Sequence, residues 1–271
     1  MFDTHCHLNF KRFKNSVSEV IQRAKEAGVQ SIVIPGTDVV TSQKAVEIAS
    51  QYEGVYVAVG IHPHHALQFQ MSSFKSEIEK LKTLLMHSKV VAIGEVGLDK
   101  HEYTQTKYKT YKVDDQFIEA QKQLLIEQIK LALKYDKSLI LHNREAKDEL
   151  LPLLEKCWDK KLEGRTVFHC CEPDMELLEF AQNHGIFIGV DGDVTYLPEK
   201  AEFVKKVPLE MLVLETDSPY LLPEPLRMQK LYPNEPKNIT VIAEYIAYLK
   251  GLKKDQLQQV TYENSKKLFA L

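Results

Sequence analysis

Six of the ten histidines in this 271-residue chain lie at, or within three residues of, the end of a short apolar run: His5, His7, His62, His64, His142 and His169. Two carboxylates, Glu95 and Asp217, hold the same kind of position. Residues i and i+2 of an extended chain share a face, so His5 and His7 in Asp3-Thr4-His5-Cys6-His7 can converge on one ion while Cys6 points away. Neutral imidazoles with carboxylates suit Zn²⁺, Mn²⁺ or Fe²⁺, with Mg²⁺ less favoured by so much nitrogen. His5, His7, His142, His169, Glu95 and Asp217 together are more donors than one ion usually takes. We therefore expect two divalent ions with Glu95 as the bridge, because it ends its run midway between the histidine groups in chain order. Two ions roughly 3.5–4 Å apart would activate a bridging water and stabilise the oxygens of a displacement at phosphorus. Each of these residues taken alone reads equally as a polar strand end satisfied by water and backbone; their shared position is what separates them from that reading.

Other residues extend the candidate site. Asp217, in Leu214-Glu215-Thr216-Asp217-Ser218-Pro219, can bind metal and act as general base toward an attacking water, or simply cap a turn before Pro219. Glu215 shares a strand face with Asp217 and can orient a metal ligand or serve a structural partner. Arg144, two residues past His142, can fork a phosphate with its planar donors, or pair with Glu145 or Asp148. The segment 100–112 sets Lys100, Lys107, Lys109 and Lys112 among Tyr103, Tyr108 and Tyr111, with Glu102 as its one acid. Basic residues interleaved with stacking rings suit single-stranded nucleic acid, although such a stretch can also be only a solvated loop.

Positioning these residues requires a regular scaffold. Apolar runs at 1–5, 30–35, 54–61, 89–95, 138–142, 165–169, 185–190 and 211–215 alternate with helical patterns at 16–27, 41–50, 72–87, 115–134, 145–157, 174–184 and 238–249. In the pattern from 115, Phe117, Ala120, Gln121, Leu124, Leu125, Ile129, Leu131, Ala132 and Tyr135 form one stripe, and Gly28 stands as a stop signal after the first helix. Eight strands separated by helices predict an α/β fold, a (β/α)8 TIM barrel, with an open doubly wound sheet as the competing arrangement. A barrel of roughly 250 residues would use 1–271 as a single domain, with 255–270 as a closing helix. Its active site would lie at the C-terminal ends of the strands, where the candidate residues fall.

Composition narrows the class further. The chain is 44% hydrophobic and 27% charged, with 35 Lys+Arg against 38 Asp+Glu, the ordinary balance of a globular protein. A net charge of −3 argues against bulk electrostatic binding of nucleic acid and leaves only local contacts with phosphate. Cys6, Cys157, Cys170 and Cys171 show no CxxC spacing and read as reduced thiols. No apolar stretch approaches the roughly 20 residues of a membrane span, and Met1-Phe2-Asp3-Thr4-His5 lacks a basic leader. A cytoplasmic protein with no membrane attachment and no obligate protein partner is the expectation.

Five blocks in order resemble the TatD family of metal-dependent deoxyribonucleases, a branch of the amidohydrolase-like barrels. They are Phe2-Asp3-Thr4-His5-Cys6-His7-Leu8, Gly60-Ile61-His62-Pro63-His64, Gly94-Glu95-Val96-Gly97-Leu98-Asp99, Leu141-His142-Asn143-Arg144-Glu145-Ala146 and Leu214-Glu215-Thr216-Asp217-Ser218-Pro219-Tyr220-Leu221. The resemblance implies that His5, His7, Glu95 and Asp217 hold one ion and Glu95, His142 and His169 the other, with His62 lining the site as an auxiliary ligand or substrate contact. It also implies hydrolysis of DNA, often single-stranded and from the 3′ end. Departures from the family pattern are Cys170-Cys171-Glu172-Pro173 after His169, Asn9 where Asp is common, Lys137-Ser138 before the fifth strand, and Asp191-Gly192-Asp193 after the seventh, which would make an acidic rim. The segment from Lys100 is also longer than usual.

The combined expectation is a divalent-metal phosphodiester hydrolase, a deoxyribonuclease working 3′ to 5′ on single-stranded DNA, with RNA as a further substrate. Zn²⁺, Mg²⁺ or Mn²⁺ would serve it, a metal-bridged hydroxide would attack phosphorus, and Asp217 and Glu95 would be the catalytic residues. His62, His64, Arg144, Lys107, Lys109 and Lys112 would meet the substrate. Two competing readings are a small-molecule amidohydrolase or esterase of the same barrel superfamily and a nucleic-acid quality-control factor with little turnover.

Overall fold

The eight apolar runs become eight strands in the computed structural model, which describes residues 1–68, 71–103 and 112–271. They are β1 Phe2–Asp3, β2 Ser31–Pro35, β3 Val55–Val59, β4 Val90–Asp99, β5 Ser138–Arg144, β6 Thr166–His169, β7 Phe187–Val190 and β8 Leu212–Leu214. All neighbours pair in parallel, in chain order from β1 to β8. The ring joins where the Thr4 amide donates to the Leu214 carbonyl at 3.0 Å and Cys6 bridges Ser218. This is the (β/α)8 TIM barrel, and the open doubly wound sheet is excluded.

Helices α1 Val17–Glu26, α2 Val39–Ala49, α3 Met71–Leu85, α4 Asp115–Tyr135, α5 Lys147–Cys157, α6 Met175–His184, α7 Pro198–Lys206, α8 Ile239–Lys250 and α9 Lys254–Phe269 surround the strands. Of these, α7 has no counterpart among the helical patterns read above. Its apolar residues Ala201, Phe203 and Val204 are too few for a clear stripe, and its burial comes from packing against α8 and the turn after β7. Caps match their chemistry: the Asp114 side chain accepts from the Phe117 amide at the start of α4, and Asp174 accepts from Glu176 and Leu177 at the start of α6.

Strand residues divide by parity. Val33, Ala58, Ile140, Val167 and Val213 fill the barrel axis, while Ile32, Val57, Leu139, Leu141, Phe168 and Leu214 pack under the helices. The base of the barrel is closed by α9, whose Leu268 and Phe269 join the inner cluster; Phe269 lies 5.6 Å from Phe2 ring to ring. With the base packed, the opposite mouth is where a site can open.

Candidate metal centre

Parity carries side chains of the inner rows upward to that mouth. His142 lies two residues beyond Ile140, His169 two beyond Val167, and Glu215 and Asp217 two and four beyond Val213. Glu95 reaches the axis by a different device. Ile93 and Val96 of β4 pair with Leu139 and Leu141 of β5, so three residue steps oppose two and one extra residue is accommodated. Ile93 and Val96 both pack under the helices, and the bulge turns Glu95 toward the barrel centre.

The strand then continues past the expected end at Glu95, to Asp99. Gly97, at φ +153, lies against β5 so closely that a Cβ would meet the His142 carbonyl oxygen at 1.8 Å. Asp99, four residues beyond Glu95, is fully buried and was not picked out from sequence. Its Oδ2 stands 2.8 Å from His64 Nε2 and 3.1 Å from His142 Nε2, and accepts from the Tyr103 hydroxyl at 3.0 Å. The i, i+2, i+4 series Glu95, Gly97, Asp99 is the signal that would have found it.

The two oxygens of Glu95 face different partners. Oε2 lies 3.5 Å from His5 Nε2 and 3.6 Å from His7 Nε2. Oε1 lies 2.8 Å from His142 Nδ1, 3.5 Å from His62 Nε2 and 3.8 Å from His169 Nε2. Asp217 Oδ1 completes the first side, 3.4 Å from His7 Nε2 and 3.8 Å from His5 Nε2. It also stands 4.0 Å from His169 Nε2, and His169 Nδ1 lies 3.0 Å from Glu215 Oε1. The expected donor residues thus meet around one carboxylate, and His62 joins Glu95 and His142 more closely than His169 does. His169 instead stacks on His5, ring centres 3.4 Å apart, and groups with His5 and Asp217.

These distances test whether a metal fits. Donors held about 2.1 Å from a tetrahedral ion stand about 3.4 Å from one another. His5 and His7 Nε2 are 3.2 Å apart, and their separations from Glu95 and Asp217 run from 3.4 to 3.8 Å. The set fits. Around Glu95 Oε1 the 2.8 Å approach of His142 is a direct hydrogen bond, with His62 the next donor out.

Charge follows from the same packing. Burial alone would raise the Glu95 carboxyl, but His62, His142 and His5 hold it well below the carboxylate range. Burial, with His169 beside it, pushes His5 well below the imidazole range, and burial takes His62 down to about 3. Burial is overcome at His142, which Asp99 and Glu95 lift to about 9, and at His169, which Glu215, Glu95 and Asp217 lift to about 10. His5 and His62 therefore stay neutral while His142 and His169 hold protons, and the neutral His62 shares the Oε1 side of Glu95 with that charged pair.

Left-handed backbone marks the rim: Glu145, Cys170, Asp217 and Leu221 have φ between 45 and 54° and all line the mouth cavity of about 1030 Å³. Arg144 is exposed on that wall. It donates to the Tyr103 hydroxyl at 2.9 Å, with its guanidinium 5.1 Å from the ring centre, while Glu145 lies 2.6 Å from His101. Lys112 is exposed and 3.5 Å from Asp114, and Lys100 is 2.6 Å from Glu149. Lys107 and Lys109, with Tyr108 and Tyr111, lie outside the described residues.

The acidic rim expected at Asp191 and Asp193 does not form. Both are buried, and the equally buried Lys200 sits 3.8 and 3.2 Å from them, so the added carboxylates carry their own counter-cation. All four cysteines are free thiols, and no helix among the described residues is long and apolar enough to cross a membrane.

A (β/α)8 barrel with imidazoles and carboxylates converging at the C-terminal ends of its strands belongs to the class of metal-dependent barrel hydrolases. A family model described as TatD related DNase matches residues 2–270. The chain is 33% identical to an uncharacterized metal-dependent hydrolase YabD of Bacillus subtilis, over all of this chain and 99% of that one. It is also 33% identical to the 3′-5′ ssDNA/RNA exonuclease TatD of Escherichia coli, with the same coverage. The crystal structure of YjjV, a TatD homologue from Escherichia coli, superposes with a TM-score of 0.87 at 31% identity, covering 100% of this chain and 98% of that one. The chain belongs to the TatD family and is a metal-dependent hydrolase.

Proposed function

We infer that this enzyme hydrolyses phosphodiesters of single-stranded nucleic acid from the 3′ end, at a two-ion site built around Glu95. The observation that carries this reading is the division of Glu95, with one oxygen turned to His5 and His7 and the other to His142 and His62. His5, His7, Asp217 and Glu95 would hold one ion, and Glu95 with His142 and either His169 or His62 the other. Bound there, divalent ions would supply Lewis-acid stabilisation of phosphate oxygens and an acidified water.

The chain's own residues do the rest. Asp217, on the first side of the cluster, accepts the proton of the attacking water. Asp99 and Glu215 fix the ring orientation of His142 and His169 through the nitrogens turned away from Glu95. Arg144, on the cavity wall and braced by Tyr103, offers paired donors to a phosphate. The kinship with a 3′-5′ ssDNA/RNA exonuclease supports the substrate class and the polarity.

The test uses single-stranded DNA and RNA labelled at the 5′ end, incubated with Mg²⁺, Mn²⁺ or Zn²⁺ or with chelator. The expected result is a ladder shortening from the 3′ end, absent with chelator and slowed at least about 100-fold in Asp217→Asn. Cleavage that survives chelator or that substitution contradicts the mechanism. A second reading, hydrolysis of a small ester or amide, is favoured by Glu145 and Glu172 in the cavity wall, carboxylates that would repel a polyanion. Turnover of such esters with no nucleic-acid ladder would select it.

A further inference from the structure

One wall of the mouth cavity is aromatic and has no part in the hydrolysis as derived above. Tyr220 stands three residues beyond Asp217 and is 53% exposed, although a ring of its size usually gains by burial. Its position is fixed: its amide donates to the Asp217 carbonyl at 2.9 Å, and Asn234 braces the loop through Pro219 at 3.1 Å and Thr216 at 2.9 Å. Phe10 stands three residues beyond His7, its amide donates to the His7 carbonyl at 3.1 Å, and its ring lies flat on the His7 imidazole at 4.2 Å and 13°. The Phe10 and Tyr220 rings meet edge to face, centres 6.4 Å apart and planes at 69°, forming an open corner of the cavity that holds Glu95 and Asp217.

We propose that this corner seats the base of the 3′-terminal nucleotide, with Tyr220 as the stacking face and Phe10 as the wall at its edge. The assignment rests on the nuclease reading and adds to it how the strand end is held. Each ring is tied to a backbone segment that also carries a candidate metal ligand, so a base stacked there sets its phosphate over the cluster. Stacking on a ring is tolerant of sequence because every base has a π-face, and purines, with more area, stack more strongly than pyrimidines. The corner therefore grades strand ends by ring size more than by hydrogen-bond pattern.

The experiment compares single-stranded oligonucleotides that differ only at the 3′-terminal residue, adenine against an abasic analogue, on the metal-loaded enzyme. The wild type is expected to cleave the adenine end at least about fivefold more efficiently, the low end of what one base–aromatic stack contributes. Tyr220→Ala should remove that advantage through KM and leave the abasic rate within about twofold, while Tyr220→Phe keeps it. Anisotropy binding of the same oligonucleotides to metal-stripped protein should show the same order, which a folding defect would not produce. Equal cleavage of both ends by the wild type, an equal loss on both in Tyr220→Ala, or a Tyr220→Phe as impaired as Tyr220→Ala would overturn the stacking role. Failure of the wild type to cleave either end overturns the nuclease reading, and this assignment falls with it.

Discussion

Asp99 shows how much of the site depends on a residue that touches no candidate ion. Its carboxylate is fully buried between His142, His64 and Tyr103, and it fixes which His142 nitrogen is left to face Glu95. Removing such a partner typically weakens metal binding about 10- to 100-fold. Asp99→Asn is therefore expected to lower metal affinity by that factor with the far-UV circular dichroism unchanged; an unaltered affinity would remove Asp99 from the account. His142 and His169, lifted to about 9 and about 10 by their carboxylate neighbours, hold protons at neutral pH in the metal-stripped protein. A ligand imidazole must be neutral, so uptake displaces these protons and affinity rises with pH until the folded pKa values are passed. Calorimetry in buffers of different ionisation heat should detect one to two protons released per chain near neutral pH, and none if the rings are already neutral.

Strands explain which of these residues sequence could reveal. His142, His169, Glu215 and Asp217 were legible because they continue inner rows begun by Ile140, Val167 and Val213, and a period of two needs no tertiary information. Asp99 was not, because its run is expected to end at Glu95, and only a strand that continues to Asp99 sets it on the Glu95 face. The buried pairing of Asp191 and Asp193 with Lys200 escaped for a related reason, since α7, which supplies the lysine, has too weak a stripe to register. The close contact of β4 with β5 makes its own prediction. A methyl at Gly97 would collide with the His142 backbone, whereas one at Gly251, also at positive φ, meets nothing within 4 Å. Gly251→Ala should cost about 1 kcal/mol. Gly97→Ala should cost more, with roughly 2–4 °C of unfolding midpoint lost per kcal/mol. It should also weaken metal binding, which Gly251→Ala should leave intact. Equal effects of the two on metal binding would mean that the backbone approach at Gly97 does not hold His142 in place.

The barrel as a whole was legible because eight apolar runs alternating with helical stripes admit few arrangements, and the 271 residues leave α9 to seal the base. At this scale the net charge of −3 limits how a polyanion can be held. Binding should lean on few cations, so KM for single-stranded DNA should depend only shallowly on salt. If Lys107 and Lys109 contact phosphates, replacing both with Ala should reduce the log–log salt slope by about 1.4, at about 0.7 per phosphate contact. An unchanged slope would leave those lysines out of the substrate path. The central claim is that catalysis needs two ions shared by one carboxylate. Its most direct measurement strips the protein of metal and titrates Mn²⁺ or Zn²⁺ back while following cleavage of end-labelled single-stranded DNA. Activity is expected to return only as the second equivalent binds, with both steps lost in Glu95→Gln. Full activity at one equivalent, or cleavage in the stripped protein, would contradict it.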